Sequence, residues 1–154
     1  MAKLAAELVE VGVIMIEAGT ATVLMAKYLA GKGDIPIVTN STLVFSYAWR
    51  CPNLQITMTG GEFRGFTECP VGPIALETIV RLNVRLAVAG TDGFTRERGM
   101  TTHFIEEAEI LKAMKVHVET AVLVADSSKY DQTGFIKSLL LHQDTAYGNC
   151  WRFT

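Results

Sequence analysis

The chain has 154 residues, 49% of them hydrophobic and 19% charged, with 14 basic against 16 acidic side chains and a formal net charge of −2 at pH 7. A chain of this length buries a sizeable core without disulfide or metal staples, and 1–154 reads as one domain. The slightly acidic balance excludes a basic surface that would hold the phosphates of a duplex, and apolar runs such as Val11 to Ile16 and Val71 to Leu76 fall far short of the ~20 residues that cross a bilayer.

The start of the chain has no basic segment followed by an apolar stretch and a small-residue cleavage site, so a cytoplasmic location without membrane attachment is expected. In chain order, Leu4, Leu8 and Val11 recur at helical spacing and predict a first helix, followed by an apolar strand over 13–17. The turn Gly19-Thr20-Ala21-Thr22 opens a second helix. A strand over 36–39 leads through Asn40 and Ser41 into a helix over 42–50, which Pro52 and Asn53 stop. A strand over 55–59 ends at Gly60-Gly61, and a helix over 74–81 is entered through Pro73. Next comes a strand over 86–90, then a helix with Ile110, Leu111 and Met114 on one face beside Glu106, Glu107, Glu109, Lys112 and Lys115. The last predicted strand covers 120–125 and runs into Asp126-Ser127-Ser128-Lys129. Five strand-helix cycles with nearly all-apolar strands predict an α/β fold: an open, mostly parallel, Rossmann-like sheet with helices on both faces. No linker or repeat divides it.

In such a sheet ligands bind beyond the carboxyl ends of the strands. The five segments that follow the strands all carry glycine, hydroxyl, amide, carboxylate or ammonium groups. Gly19 to Thr22 is either an N-cap or an anion site on a helix N-terminus, and its spacing fits neither the Walker loop nor the dinucleotide fingerprint, which argues against ATP and NAD. Asn40 and Ser41 orient a ligand hydroxyl or cap a helix, and Gly60-Gly61 admits a close backbone approach or makes a turn. Asp92, between Gly90 and Gly93, accepts from sugar hydroxyls or forms an Asp-Gly turn. Lys129 is the best cation at this edge for a phosphate, while Arg64 and Arg96 sit in glycine-containing loops. His103, His117 and His142 are scattered and make no metal site, Ser127 lacks a nucleophile elbow, and no cofactor is expected. Cys51, Cys69 and Cys150 are odd in number and far apart, and read as buried reduced thiols.

Seven stretches in this order, Glu17 to Thr22, Val38 to Ser41, Gly60 to Arg64, Val71 to Pro73, Gly90 to Gly93, Glu106 to Glu109 and Ala125 to Lys129, resemble the C-terminal sensor domain of DeoR-type bacterial transcriptional regulators, over about Leu4 to Lys137. The resemblance implies a fold similar to ribose-5-phosphate isomerase, a phosphorylated sugar or related metabolite as effector, and DNA contact only through an N-terminal winged helix-turn-helix absent from this chain. It places the Gly19 to Thr22 loop and Lys129 on the effector phosphate, and Asn40, Gly61, Asp92 and Glu107 on its hydroxyls. Two departures stand out: Ala21 replaces a hydroxyl residue, and 142–154 does not read like the usual closing strand.

The isomerases of this fold carry a second carboxylate shortly after the first in the Asp92 loop, and a downstream Lys-Gly-Gly. Here Phe94 and Thr95 follow, and then Gly99-Met100-Thr101-Thr102-His103-Phe104. The expectation is a sensor without catalytic residues that represses sugar metabolism genes, the alternative a sugar-phosphate isomerase-like enzyme. Phe45, Trp49 and Phe66 suggest self-association into a homo-oligomer.

Overall fold

The structure is a computed structural model that describes residues 2–10, 12–147 and 150–153, with the side chains described up to residue 140. In chain order the elements are α1 (Ala2–Glu7), β1 (Ile14–Ile16), α2 (Thr20–Leu29), β2 (Ile35–Thr39), α3 (Thr42–Ala48), β3 (Leu54–Met58), β4 (Glu62–Arg64), β5 (Cys69–Val71), α4 (Pro73–Val80) and β6 (Val84–Ala89). There follow β7 (Gly93–Thr95), β8 (Gly99–Thr102), α5 (Ile105–Val116), β9 (Val118–Val124), a 3-10 turn (Ser127–Lys129), β10 (Ile136–Leu139), β11 (Leu141–Tyr147) and β12 (Cys150–Phe153).

The central sheet runs β11-β12-β9-β6-β1-β2-β3, and its five strands β9, β6, β1, β2 and β3 are mutually parallel. All five correspond to strands expected from the sequence, with ends shifted by one or two residues. β1 sits in the middle and pairs on both sides, Ile14 opposite Ile37 of β2 and opposite Leu86 of β6. The chain therefore builds outward from β1 in one direction, through β2 and β3, then returns to build in the other, through β6 and β9.

Alternation along the strands divides the core in two. Ile14, Ile16, Ile37, Val88 and Val122 face one side, where Ala5 and Ala6 of α1, Met25, Ala26 and Leu29 of α2, and Val44 and Ala48 of α3 cover them. Met15, Val38, Ala87, Ala89 and Leu123 face the other, under Ala75 and Ile79 of α4 and Ile110, Leu111 and Met114 of α5. Helix α1 differs from expectation: Leu4 is exposed, the buried face is Ala2, Ala5 and Ala6, and Val11 lies outside the described residues. Small residues let α1 lie close to the sheet, and Lys32 closes its end by donating from Nζ to the carbonyls of Ala6 (2.6 Å) and Val9 (3.1 Å).

Two small antiparallel sheets, absent from the sequence reading, occupy segments taken there as loops. β4 and β5 form a hairpin, and β7, β8 and β10 form a three-stranded sheet with β8 in the middle. Strands of three or four residues are too short to show a period. At the end of the chain β12 lies antiparallel on β9, Cys150 opposite Val124 through Phe153 opposite Ala121, and β11 pairs with β12. The stretch after Leu141 is thus a strand pair, covering the edge that β9 would otherwise leave open. Residues 148, 149 and 154 and the side chains of His142 and Cys150 lie outside the described residues. Of the other cysteines, Cys69 is buried and Cys51 half-buried. No helix among the described residues is long and apolar enough to cross a membrane.

Phe94 and Met100 tie the three-stranded sheet into the second core, and its close fit depends on Gly93, where a Cβ would stand 2.4 Å from the carbonyl oxygen of Gln132. Gly93→Ala should cost about 1–3 kcal/mol in denaturant unfolding, whereas Gly65→Ala, with nothing within 4 Å of the new carbon, should stay within about 0.5 kcal/mol of the parent.

Candidate functional site

Because strand order reverses at β1, the turns leaving β1 and β6 diverge to opposite faces and open a crevice between them. Its volume is about 270 Å³. Glu17 to Ala21 after β1, Gly90 to Asp92 after β6 and Val124 to Asp126 with Lys129 at the end of β9 form three walls. Thr67 from the β4–β5 hairpin, Thr102 at the end of β8, and Glu107 and Leu111 of α5 complete it.

The wall after β1 is a helix entrance. Gly19 is the N-cap of α2 and no side chain caps it, so the N–H groups of the first turn are left without helical acceptors. The Thr22 hydroxyl cannot serve as their partner, because it is buried and faces the carbonyls of Glu17 and Gly19, each at 2.7 Å. Helix α3 starts differently. Ser41 Oγ accepts from the Val44 N–H (3.1 Å), which fills that N-terminus from within the chain.

Lys129 is carried by the 3-10 turn. Asp126 caps the turn, accepting the Ser128 N–H at 2.8 Å and its hydroxyl, and these two bonds hold the Asp126 carboxyl below the usual carboxylate range. The far end is anchored by Tyr130 packed edge-on to Phe94, ring centroids 5.5 Å apart, and by the Asp131 N–H on the Phe94 carbonyl (2.9 Å). Lys129 makes no salt bridge among the described residues.

Opposite stand three carboxyl groups. Thr102 Oγ1 lies 2.6 Å from Glu107 Oε2 and 3.0 Å from Asp92 Oδ2, and the His103 N–H donates to the same Asp92 oxygen (2.9 Å). One hydroxyl supplies one proton. It stands within reach of both carboxylates, and burial, with Asp92 adding to it, pushes Glu107 above the ordinary value against the opposing hydrogen bonds from Thr102 and Thr67. Glu17, 5% exposed, accepts one long bond from the Gly90 N–H (3.4 Å). Its pKa is raised, first by burial and then by Glu107, with Asp92 a smaller contributor.

Of the residues singled out in the sequence, Gly19, Thr20, Ala21, Asp92, Glu107 and Lys129 come together at the crevice. Thr22 and Ser41 spend their hydroxyls inside the chain. Asn40, 2% exposed, supports the β1 wall through Oδ1, which accepts the Ala18 N–H (3.1 Å), while its Nδ2 is buried without a partner. Gly60, Gly61 and Gly93 do not line the crevice. A Cβ at Gly61 would meet the Val71 carbonyl at 2.5 Å, so this glycine closes the β4–β5 hairpin against α4. Arg64 pairs with Glu106 and lies over the Phe104 ring (5.0 Å). Glu17, Thr67 and Thr102 were missed: Glu17 ends an apolar strand, and the two threonines sit in the small sheets.

The family model for the DeoR C terminal sensor domain matches residues 1–146. The HTH-type transcriptional regulator GlpR of Haloferax volcanii is 34% identical over 137 residues, covering 89% of this chain and 53% of that protein. The HTH-type transcriptional repressor CsqR of Escherichia coli is 25% identical over 133 residues, covering 86% and 51%. This chain thus spans about half the length of the curated relatives it matches. Among solved structures, ribose 5-phosphate isomerase A of Methanocaldococcus jannaschii superposes with a TM-score of 0.59 at 15% identity, covering 84% of this chain and 51% of that one, a likeness of fold.

The raised Glu17 pKa has a consequence for stability. Above the ordinary value of 4.5 the unfolded chain loses this proton while the folded chain keeps it, so the native state binds more protons. Stability then falls as pH rises from there through the folded pKa, and levels beyond it. Glu17→Gln removes this term. The melting temperature of the variant minus that of the parent should therefore grow between acid and neutral pH; a constant difference would contradict the assignment.

Proposed function

This chain belongs to the DeoR C-terminal sensor domain family, and we propose that it binds a phosphorylated sugar or related metabolite in the crevice at β1 and thereby modulates operator binding by a sugar-metabolism repressor. The observation that carries this reading is the uncapped N-terminus of α2 sharing one crevice with Lys129. Aligned peptide dipoles and free N–H groups hold an anion, and a lysine ammonium adds a point charge. The three carboxyl groups and Thr102 opposite supply acceptors for the hydroxyls of the same ligand. Of the positions implied by resemblance, Gly19 to Ala21 and Lys129 take the phosphate and Asp92 and Glu107 the hydroxyls.

DNA contact falls to a helix-turn-helix in the half of the relatives' length that this chain does not match, and the domain reading of 1–154 goes with it. The effector changes operator affinity only by its differential affinity for the two states of the regulator. Exposed Phe45, Trp49 and Phe66 provide apolar area for self-association in the cytoplasm.

A second reading has one observation in its favour. Glu107, with a raised pKa and joined through Thr102 to Asp92, has the character of a general base. Against it, the isomerases carry a second carboxylate shortly after the first in this loop, whereas here Asp92 and Gly93 are followed by Phe94 and Thr95, both buried. Turnover of ribose 5-phosphate above background, lost in Asp92→Asn, would replace the sensor reading with the enzymatic one.

A thermal-shift screen of sugar and polyol phosphates, each beside its dephosphorylated parent and inorganic phosphate, tests the proposal. A ligand at 100 times its dissociation constant stabilises by about 2.7 kcal/mol. Stabilisation by a phosphorylated compound and not by its parent is expected, and Lys129→Ala should weaken that binding by about 1.5–3 kcal/mol. No shift with any phosphate would overturn it.

A further inference from the structure

A second groove, of about 490 Å³ and sharing no residue with the crevice, runs between the C-terminal part of α5 and β10. Lys112, Lys115 and Val116 line it from the helix, and Lys137, Leu139 and Leu140 from the strand and its end. Helical spacing puts Lys112 and Lys115 side by side. β10 is an edge of its three-stranded sheet, so no strand lies on its outer side among the described residues. Lys112 pairs with Glu109 (2.8 Å), whereas Lys115 and Lys137 make no salt bridge among the described residues. A Cβ on Gly99 would stand 2.8 Å from the Leu140 Cα, so the turn joining β7 and β8 abuts this end and adds the exposed Arg96 and Arg98, with Glu97 between them. Lys112, Lys115, Lys137, Arg96 and Arg98 thus bring five of the 14 basic residues to one place in a chain of net charge −2.

Each lysine has a local use: Lys115 meets the negative end of the α5 dipole, and a lysine on an edge strand discourages pairing with another sheet. Neither use accounts for the apolar area in the same groove, where Val116 is 74% and Leu140 51% exposed. A second copy of the chain laid symmetrically on this face would set lysine against lysine. A duplex backbone would use the charges and leave the apolar carbons without a partner. Carboxylates with apolar side chains among them match both the charge and the apolar area. We propose that this groove docks a short acidic segment of another protein, with Lys115 and Lys137 meeting its carboxylates and Val116 and Leu140 its apolar side chains. Glu107 and Leu111 of the same helix line the crevice and none of the groove residues does, so docking leaves the crevice open.

The test is isothermal titration of the 154-residue chain with a short capped peptide alternating aspartate and leucine, beside three others: an all-aspartate peptide, a lysine-leucine peptide and a short DNA duplex. The aspartate-leucine peptide should bind about tenfold tighter than each of the other three. Lys115→Glu with Lys137→Glu should weaken it by about tenfold or more, while the thermal response to phosphates stays that of the parent. Should circular dichroism show that double variant unfolded, Lys137→Gln decides, with an expected loss of about threefold. No binding of the aspartate-leucine peptide, or binding unchanged by these substitutions, would overturn the proposal. Equal or tighter binding of the duplex would replace it with a nucleic-acid contact. A change in the sedimentation of the chain alone on the same substitutions would give the groove to a second copy and overturn it as well.

Discussion

Everything in this molecule depends on β1 pairing in parallel with two neighbours at once. A central strand with partners on both sides must be reached from two directions, so the chain leaves its carboxyl end toward one face and returns from β6 toward the other. The gap between those departures is the crevice. No side chain has to be sacrificed to open it. The same pairing explains why β1 is three fully buried residues and yet is followed at once by polar ones, because Ile16 lies in the core and Glu17 is already at the sheet's edge.

Two neighbouring helix starts show how a fold distinguishes a structural end from a receptive one. At α3 a serine closes the N-terminus with its own oxygen. At α2 the cap is a glycine and the Thr22 hydroxyl turns inward to two carbonyls. Capping stabilises a helix by about 1 kcal/mol, and leaving α2 without it keeps the N–H groups available at some cost to stability. The carboxyl row of Asp92, Thr102 and Glu107 has the same character. Its donors within the described residues are Thr102, the His103 N–H and Thr67, fewer than the lone pairs of two carboxylates, so an arriving donor finds acceptors that are incompletely occupied.

The expected binding residues fell into two groups for a reason visible in their surroundings. Gly19, Thr20, Ala21, Asp92, Glu107 and Lys129 reach the crevice because they sit just beyond strand ends or on the helix face turned toward them. Thr22, Asn40, Ser41, Gly61 and Gly93 belong to the same motifs and are engaged in holding the walls: a hydroxyl on carbonyls, an amide on the Ala18 N–H, a cap, and two backbone approaches closer than a Cβ allows. A motif thus mixes residues that meet a ligand with residues that position them.

The sequence by itself determined the five parallel strands, the helices between them and the edge at which polar residues gather, because apolar runs, helical spacing and turn residues act over a few neighbours along the chain. The DeoR-type resemblance was legible for the same reason, from short motifs in fixed order. Only the tertiary structure decided that Glu17 is a buried acid of the site, that Thr102 and Thr67 line it from small antiparallel sheets, that Leu4 points to solvent, and that 141–147 and 150–153 pair as strands. Those outcomes rest on pairings between residues far apart in the chain and on the direction in which a side chain leaves the backbone, and neither is written in the local pattern.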